Sequence, residues 1–278
     1  MNANLKQLHT KCSNFLDDYF TEKFFDSLPI KQKNDRIGEL YFTEKFIDDG
    51  IIDTHISNEG LDVKLKNISR PARLISDGWA EYVCSHPDEV NGLPVKFLGN
   101  DEDELLVRIR NVIRDKNKKI QDDINNGLVK PNEPVILCVN LDQIYDNGSG
   151  YDIMLMYKVA GNLPSVIRTV YPIGKLTAII NLSNPNKSKI CRSYNKYIIR
   201  AKNGYKIEQT AFLNKKYSKI SAILFNANKY GKKFILVHNY FAKNPIRRQM
   251  FSNCIEYIPK VEPCIGGKCL SFKEILNL

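Results

Sequence analysis

No stretch of the chain carries the roughly 18–20 uninterrupted apolar residues that a membrane-spanning helix needs. The opening residues MNANLKQLHTKCSNFLDD also lack the apolar core of a secretion signal. Both absences point to a cytoplasmic address and no membrane partner, with a host-delivered effector as the exception, because such export signals need not look like a signal peptide. There is no C-x-x-C pair among the seven cysteines, Cys12, Cys84, Cys138, Cys191, Cys254, Cys264 and Cys269. An odd and scattered set argues against a zinc ribbon or a disulfide framework and for reduced thiols. The glycines of NGSG, residues 147–150, have neither the spacing of a dinucleotide fingerprint nor that of a phosphate loop. Repeats, heptads, low-complexity tracts and Gly/Ser/Pro linkers are missing too, so the chain reads as continuous.

What is present is enough for a large core. The 278 residues are 43% hydrophobic and 26% charged, which argues against disorder and allows one big domain or two small ones. The net charge of +10 makes a polyanion the first partner to consider, since Lys and Arg hold phosphates by charge and counterion release. Solvation of an ordinary surface is the plainer use of the same lysines.

Periodicity predicts an amphipathic helix over 3–26 and a second helix capped by Asp35 and closed by Gly50, with Ile37, Leu40, Tyr41 and Ile47 on one face. Three strands are expected at 51–57, 61–66 and 72–84. A long helix follows over 102–126, its acidic NDEDE start at the positive end of the macrodipole and Gly127 beyond its end. Its inward stripe is Leu105, Ile109, Val112, Ile113, Ile120 and Ile124, and Lys116 falls on that stripe, where a charge requires a partner. The run PVILCVN, 134–140, is apolar on both faces, as in a covered sheet. Beyond 150 the pattern turns to strands, at 153–159, 165–173, 175–183, 220–226 and 233–239, which extend or flank the same sheet.

Four polar residues are out of place. Glu39 stands beside a helix stripe, Asp62 on a strand, Glu81 within the apolar GWAEYV, and Lys116 on an apolar helix face. Carboxylates from neighbouring strands bind a hard divalent cation through oxygen. Such a cation acidifies a bound water and neutralises a phosphodiester, and a lysine nearby stabilises the developing charge. That is the equipment of a metal-dependent nuclease.

The succession RIGELYF, EGLDVKL, GWAEYV, LLVRIRNVIRDKNKKI and PVILCVN resembles the core of the PD-(D/E)XK, or restriction-endonuclease-like, superfamily. ISAILFN and FILVHNYFAKNP resemble the later part of a set of bacterial proteins with this kind of core and no established activity. The resemblance implies an α/β fold with a mixed central β-sheet flanked by helices, in a single domain: a helical lead-in over 1–34, a nuclease-like core over 35–145 and a β-rich extension over 146–278. It implies Mg²⁺ or Mn²⁺ at Asp62 and Glu81, with Glu39 as the helix glutamate orienting a ligand or water. Val83 stands where the superfamily has its lysine and Leu61 where it has its proline. Lys116 is the expected replacement for the lysine, and Lys64, on the strand face of Asp62, the second choice.

Nucleic acid, DNA or RNA, is the implied partner. The basic and aromatic run 187–206 offers Arg192, Tyr194, Tyr197 and Arg200 for phosphates and bases, or else forms a solvated β-hairpin. The rival to catalysis is a binding protein on the same fold, for nucleic acid or a protein partner, with Glu81 and Lys116 as a buried ion pair. In that reading Glu39 is an exposed helix residue, Asp62 closes a turn and His86 ends a strand. A third reading, a thiol nucleophile and base from Cys138 and His238, requires the two side chains within hydrogen-bonding reach.

Overall fold

Hydroxyl side chains end the first helix early. In the computed structural model, α1 (Ala3–Cys12) passes into a single 3-10 turn over Ser13–Phe15, and α2 (Glu22–Ser27) stands apart from it. The Thr10 hydroxyl donates to the Lys6 carbonyl and the Ser13 hydroxyl to that of Thr10, the local competition through which such residues divert backbone from a helix. The expected continuous helix over 3–26 is therefore interrupted, with α1 and α2 as its described α-helical parts. The described residues are 3–16, 21–55, 61–69, 76–84, 89–90, 93–94, 102–142, 163–179, 182–184, 186, 189–194, 197–199, 206–208, 211–227, 233–264 and 267–277.

α3 (Ile30–Asp48) starts behind Pro29, whose carbonyl accepts from the Lys33 amide at 2.9 Å. Asp35 thus lies inside the helix and does not cap it. The end is as expected: Gly50 takes φ +65°, and the amides of Gly50 and Ile51 return to the carbonyls of Ile47 and Phe46. Its apolar residues serve two neighbours. Leu40 packs with Leu8 and Cys12 of α1, whereas Phe42 and Phe46 meet the sheet, so the face that binds the sheet is turned away from the expected one.

The strands in chain order are β1 (Ile52–His55), β2 (Val63–Leu65), β3 (Gly78–Cys84), β4 (Glu89–Val90) and β5 (Leu93–Pro94). After α4 (Glu102–Asn125) come β6 (Val135–Asn140), β7 (Ile173–Ile179), β8 (Lys189–Tyr194), β9 (Tyr197–Ile199) and β10 (Lys206–Glu208). The last four are β11 (Ile220–Ala227), β12 (Lys233–His238), β13 (Cys254–Cys264) and β14 (Gly267–Asn277). Eight of them form one mixed sheet in the order β1-β2-β3-β6-β11-β12-β13-β14. β1, β2 and β3 form an antiparallel meander, and β3, β6 and β11 run parallel. The chain therefore runs helix, three antiparallel strands, helix, parallel strand, and β11 to β14 continue the same sheet.

The sheet is covered on both faces. Ala80, Tyr82, Ile136, Cys138, Ala222 and Leu224 pack with Phe42 and Phe46 of α3. Trp79, Leu137, Val139, Ile223 and Phe225 pack with Ile109, Ile113, Ile120 and Ile124 of α4. All six residues of β6 are buried, as its unbroken apolar run requires. Among the described residues no helix is long and apolar enough to cross a membrane.

Several strand expectations are corrected. Residues 165–169 form a 3-10 turn, because Pro164 at its start accepts from the Ile167 amide, and the turn buries Val166, Ile167 and Val170 as well as a strand would. The 187–206 run is not one hairpin: β8 pairs with β7, and β9 with β10. Of the strand expected over 72–84, residues 72–75 lie outside the described residues, 76 and 77 are not strand, and Gly78–Cys84 forms β3; 153–159 also lies outside the described residues. β13 and β14 are additions, masked in the sequence by Pro259 and Pro263, which stand within β13.

Candidate active site

β2 and β3 bring two carboxylates together. Val63 pairs with Ala80 and Lys64 with Trp79 across the antiparallel ladder, so Asp62, one step on, lies opposite Glu81. The backbone amide of Tyr82 donates to Asp62 Oδ2 at 2.5 Å. Glu81 lies between Ala80 and Tyr82 of the α3 face and Asp62 is followed by Val63 of that face, so both acids point toward α4.

α4 meets them with two lysines. Glu81 is fully buried at 0% exposure; Lys116 Nζ donates to its Oε1 at 2.5 Å, and Lys119 Nζ donates to Oε1 at 2.7 Å and Oε2 at 2.9 Å. Lys116 is where the apolar stripe placed it, and its partner is the out-of-place glutamate. Lys119 was not foreseen, because in KNKK it reads as one of a run of solvated lysines. Three residues beyond Lys116, it borders the same helix face.

Asp123 completes the group. It is buried, its Oδ2 has no hydrogen-bond partner, and the charges of Lys119, Glu81 and Lys116 act on it. The sequence signal for it is weak: next to Asp122 it looks like one more helix-surface acid, and only its distance of two turns from Lys116 puts it on the inner face. Among the described residues, three carboxylates, Asp62, Glu81 and Asp123, thus stand within electrostatic reach of two ammonium groups, one negative charge in excess when all are ionised.

The electrostatics follow from burial. Burial pushes the Asp62 carboxyl up, and Glu81's charge pushes the same way. The Tyr82 amide and the charges of Lys119 and Lys116 pull back only in part, leaving it at about 7. Burial raises Asp123 as well, against Lys119 and with Glu81. For Lys119, burial acts to lower the ammonium, but Glu81's charge and hydrogen bond, with Asp62 and Asp123 behind them, outweigh it and leave it above the usual lysine value.

Glu39 does not join this group. α3 packs on the Ala80 and Tyr82 face, and Glu39 accepts from Arg36 at 2.7 Å beside a small cleft shared with Asp35, Cys84 and Asn140. Lys64 stands over the Trp79 ring at 5.8 Å, on the α4 face. Arg192 and Tyr194 belong to β8 and Tyr197 to β9, while Arg200 and His86 lie outside the described residues.

The thiol and imidazole are apart. Cys138 on β6 is separated from β12 by β11, where Leu224 is its neighbour, whereas His238 pairs with Glu256 at 2.5 Å. Burial also holds the Cys138 thiol well above its ordinary value. A nucleophile and base from these two is ruled out by this geometry.

The donor set fits a hard cation in type. Among the described residues no three Asp, Glu, His or Cys side chains stand close enough to enclose a metal ion. A cation bound here would have at most Asp62 and Glu81 as protein ligands and would keep water in its other positions, as Mg²⁺ commonly does. Both Glu81 oxygens already bond ammonium groups, so loading requires at least one lysine to yield. No protein-family model, curated protein or solved structure matches the chain.

Proposed function

We propose that the protein is a divalent-metal-dependent nuclease, hydrolysing phosphodiester bonds of DNA or RNA on a restriction-endonuclease-like core. The reading is carried by one observation: the β2–β3 register sets Asp62, one residue before β2, opposite Glu81 of β3, and two α4 lysines bond Glu81. The run α3-β1-β2-β3-α4-β6 supports it, since it has the element order that the resemblance implies.

Asp62 and Glu81 hold Mg²⁺ or Mn²⁺, which supplies an acidified water and charge neutralisation at the phosphate. Lys116, donating from the α4 side, offers its ammonium to the negative charge that develops on the phosphoryl oxygens. Lys64 and the net charge of +10 hold the polyanion by counterion release. Glu39, on the other sheet face, has no part in the step.

A second reading has its own observation. Both oxygens of Glu81 are taken by Lys116 and Lys119, which is what a purely structural buried ion cluster looks like on a protein that binds nucleic acid or another protein without cutting it. Calorimetric titration with Mn²⁺ separates the two. The nuclease reading requires saturable binding that Asp62→Asn removes; a binding protein takes up no Mn²⁺ and is indifferent to that change.

A further inference from the structure

Lys119 and Asp123 are four residues apart on α4, so their side chains stand on one helix face one turn from each other. Lys119 spends its ammonium on Glu81, bonding both oxygens, while Asp123 keeps a buried carboxylate oxygen without any donor. A buried acceptor left unmade is costly and demands an explanation. The Lys119 side chain is 40% exposed, which leaves it room to change rotamer without moving the helix.

We propose that Lys119 holds the place of the metal ion at Glu81 and that Asp123 is its alternative partner. The inference rests on the reading that Asp62 and Glu81 take a divalent cation. In the metal-free protein the Lys119 ammonium neutralises Glu81. When Glu81 turns to a cation, Lys119 crosses to Oδ2 of Asp123, which satisfies that oxygen and moves a like charge away. Lys116, bonded to Oε1 alone, stays at the site. α4 thus sets the metal affinity by a competition between two of its own residues, and free Mg²⁺ below a threshold leaves the site closed by lysine.

A double-mutant cycle read by Mn²⁺ titration calorimetry tests this, with melting curves confirming that each variant folds. Lys119→Met is expected to bind Mn²⁺ more tightly, and Asp123→Asn more weakly, each by roughly tenfold, a usual size for such coupling. The deciding value is Asp123→Asn in the Lys119→Met background, where the loss is expected to vanish because the ammonium that needed Asp123 is gone. If that loss persists undiminished, Asp123 acts by charge alone and the exchange is overturned. The same holds if Lys119→Met leaves affinity unchanged or lower while Asp62→Asn still abolishes binding. Absence of Mn²⁺ binding in both wild type and Lys119→Met is a different pattern, and it overturns the metal site together with the exchange.

Discussion

The carboxylates of Asp62 and Glu81 face each other across the β2–β3 ladder, and the buried charge of Glu81 helps hold a proton on Asp62 to about pH 7. Two strands that pair in register through apolar residues have thereby set two acids side by side in low dielectric, a combination kept only where lysines or a cation offset it.

Because Asp62 binds its proton more tightly folded than unfolded, stability without metal should fall as pH rises from the ordinary value of 3.8 toward 7, and level off above 7. The size is a few kcal/mol, at about 1.4 kcal/mol per pKa unit. Asp62→Asn removes the titration, so in chelator it should be more stable than wild type at pH 8 and nearly equal at pH 4. Urea unfolding across that range measures the difference; a wild type that gains stability between pH 4 and 7 relative to Asp62→Asn contradicts it.

Removing both lysines should cost more than removing either. Lys116→Met and Lys119→Met each leave Glu81 one ammonium, but the double variant leaves a fully buried carboxylate uncompensated, at about 3–5 kcal/mol. Adding Glu81→Gln should recover most of that loss. Denaturant midpoints of the series decide, and strict additivity of the two lysine changes counts against the cluster.

Gly78 allows β3 to approach β6. A Cβ there would meet the Pro134 carbonyl oxygen and Ile68 Cδ1, both at 2.5 Å, and neither backbone nor core can give way cheaply. Gly78→Ala should destabilise by about 1–3 kcal/mol and disturb the Trp79 amide's bond to Pro134 at 2.9 Å. A melting temperature equal to wild type contradicts this packing.

Asn226 offers a gain. Its side chain is fully buried at the end of β11, and neither amide atom has a partner. Asn226→Leu should stabilise by roughly 1–2 kcal/mol, the cost of an unmet polar group. A loss of stability means that the amide contributes an interaction after all.

Much of this was legible in the residues, for stated physical reasons. The α4 stripe from Ile109 to Ile124 is long and periodic and the β6 run is apolar on both faces, so a helix and a strand covered on both sides could be read from them. Glu81 and Lys116 stood out because a charge on an apolar face demands compensation, and they proved to be each other's partner. Lys119 and Asp123 escaped because a charge among charged neighbours on a helix carries no such signal; only their spacing from Lys116, about one turn and two turns on, selects them. Glu39 misled in the other direction. Its helix buries Phe42 and Phe46 on the far face of the sheet, and periodicity within one helix does not say which side of the sheet the helix will cover. The prolines of β13 hid a strand that pairs with β12 over Cys254–Tyr257 and with β14 along its length.

The most direct test of the central claim is cleavage of labelled single- and double-stranded DNA and RNA by wild type and Asp62→Asn, each with Mg²⁺, with Mn²⁺ and with chelator. Asp62→Asn is the informative variant because it leaves Glu81 and both lysines paired and the fold intact. Cutting of at least one substrate that needs the metal and disappears in Asp62→Asn is the predicted result. Wild type that cuts none of the four, or that cuts equally well in chelator, contradicts a metal-dependent nuclease at Asp62 and Glu81.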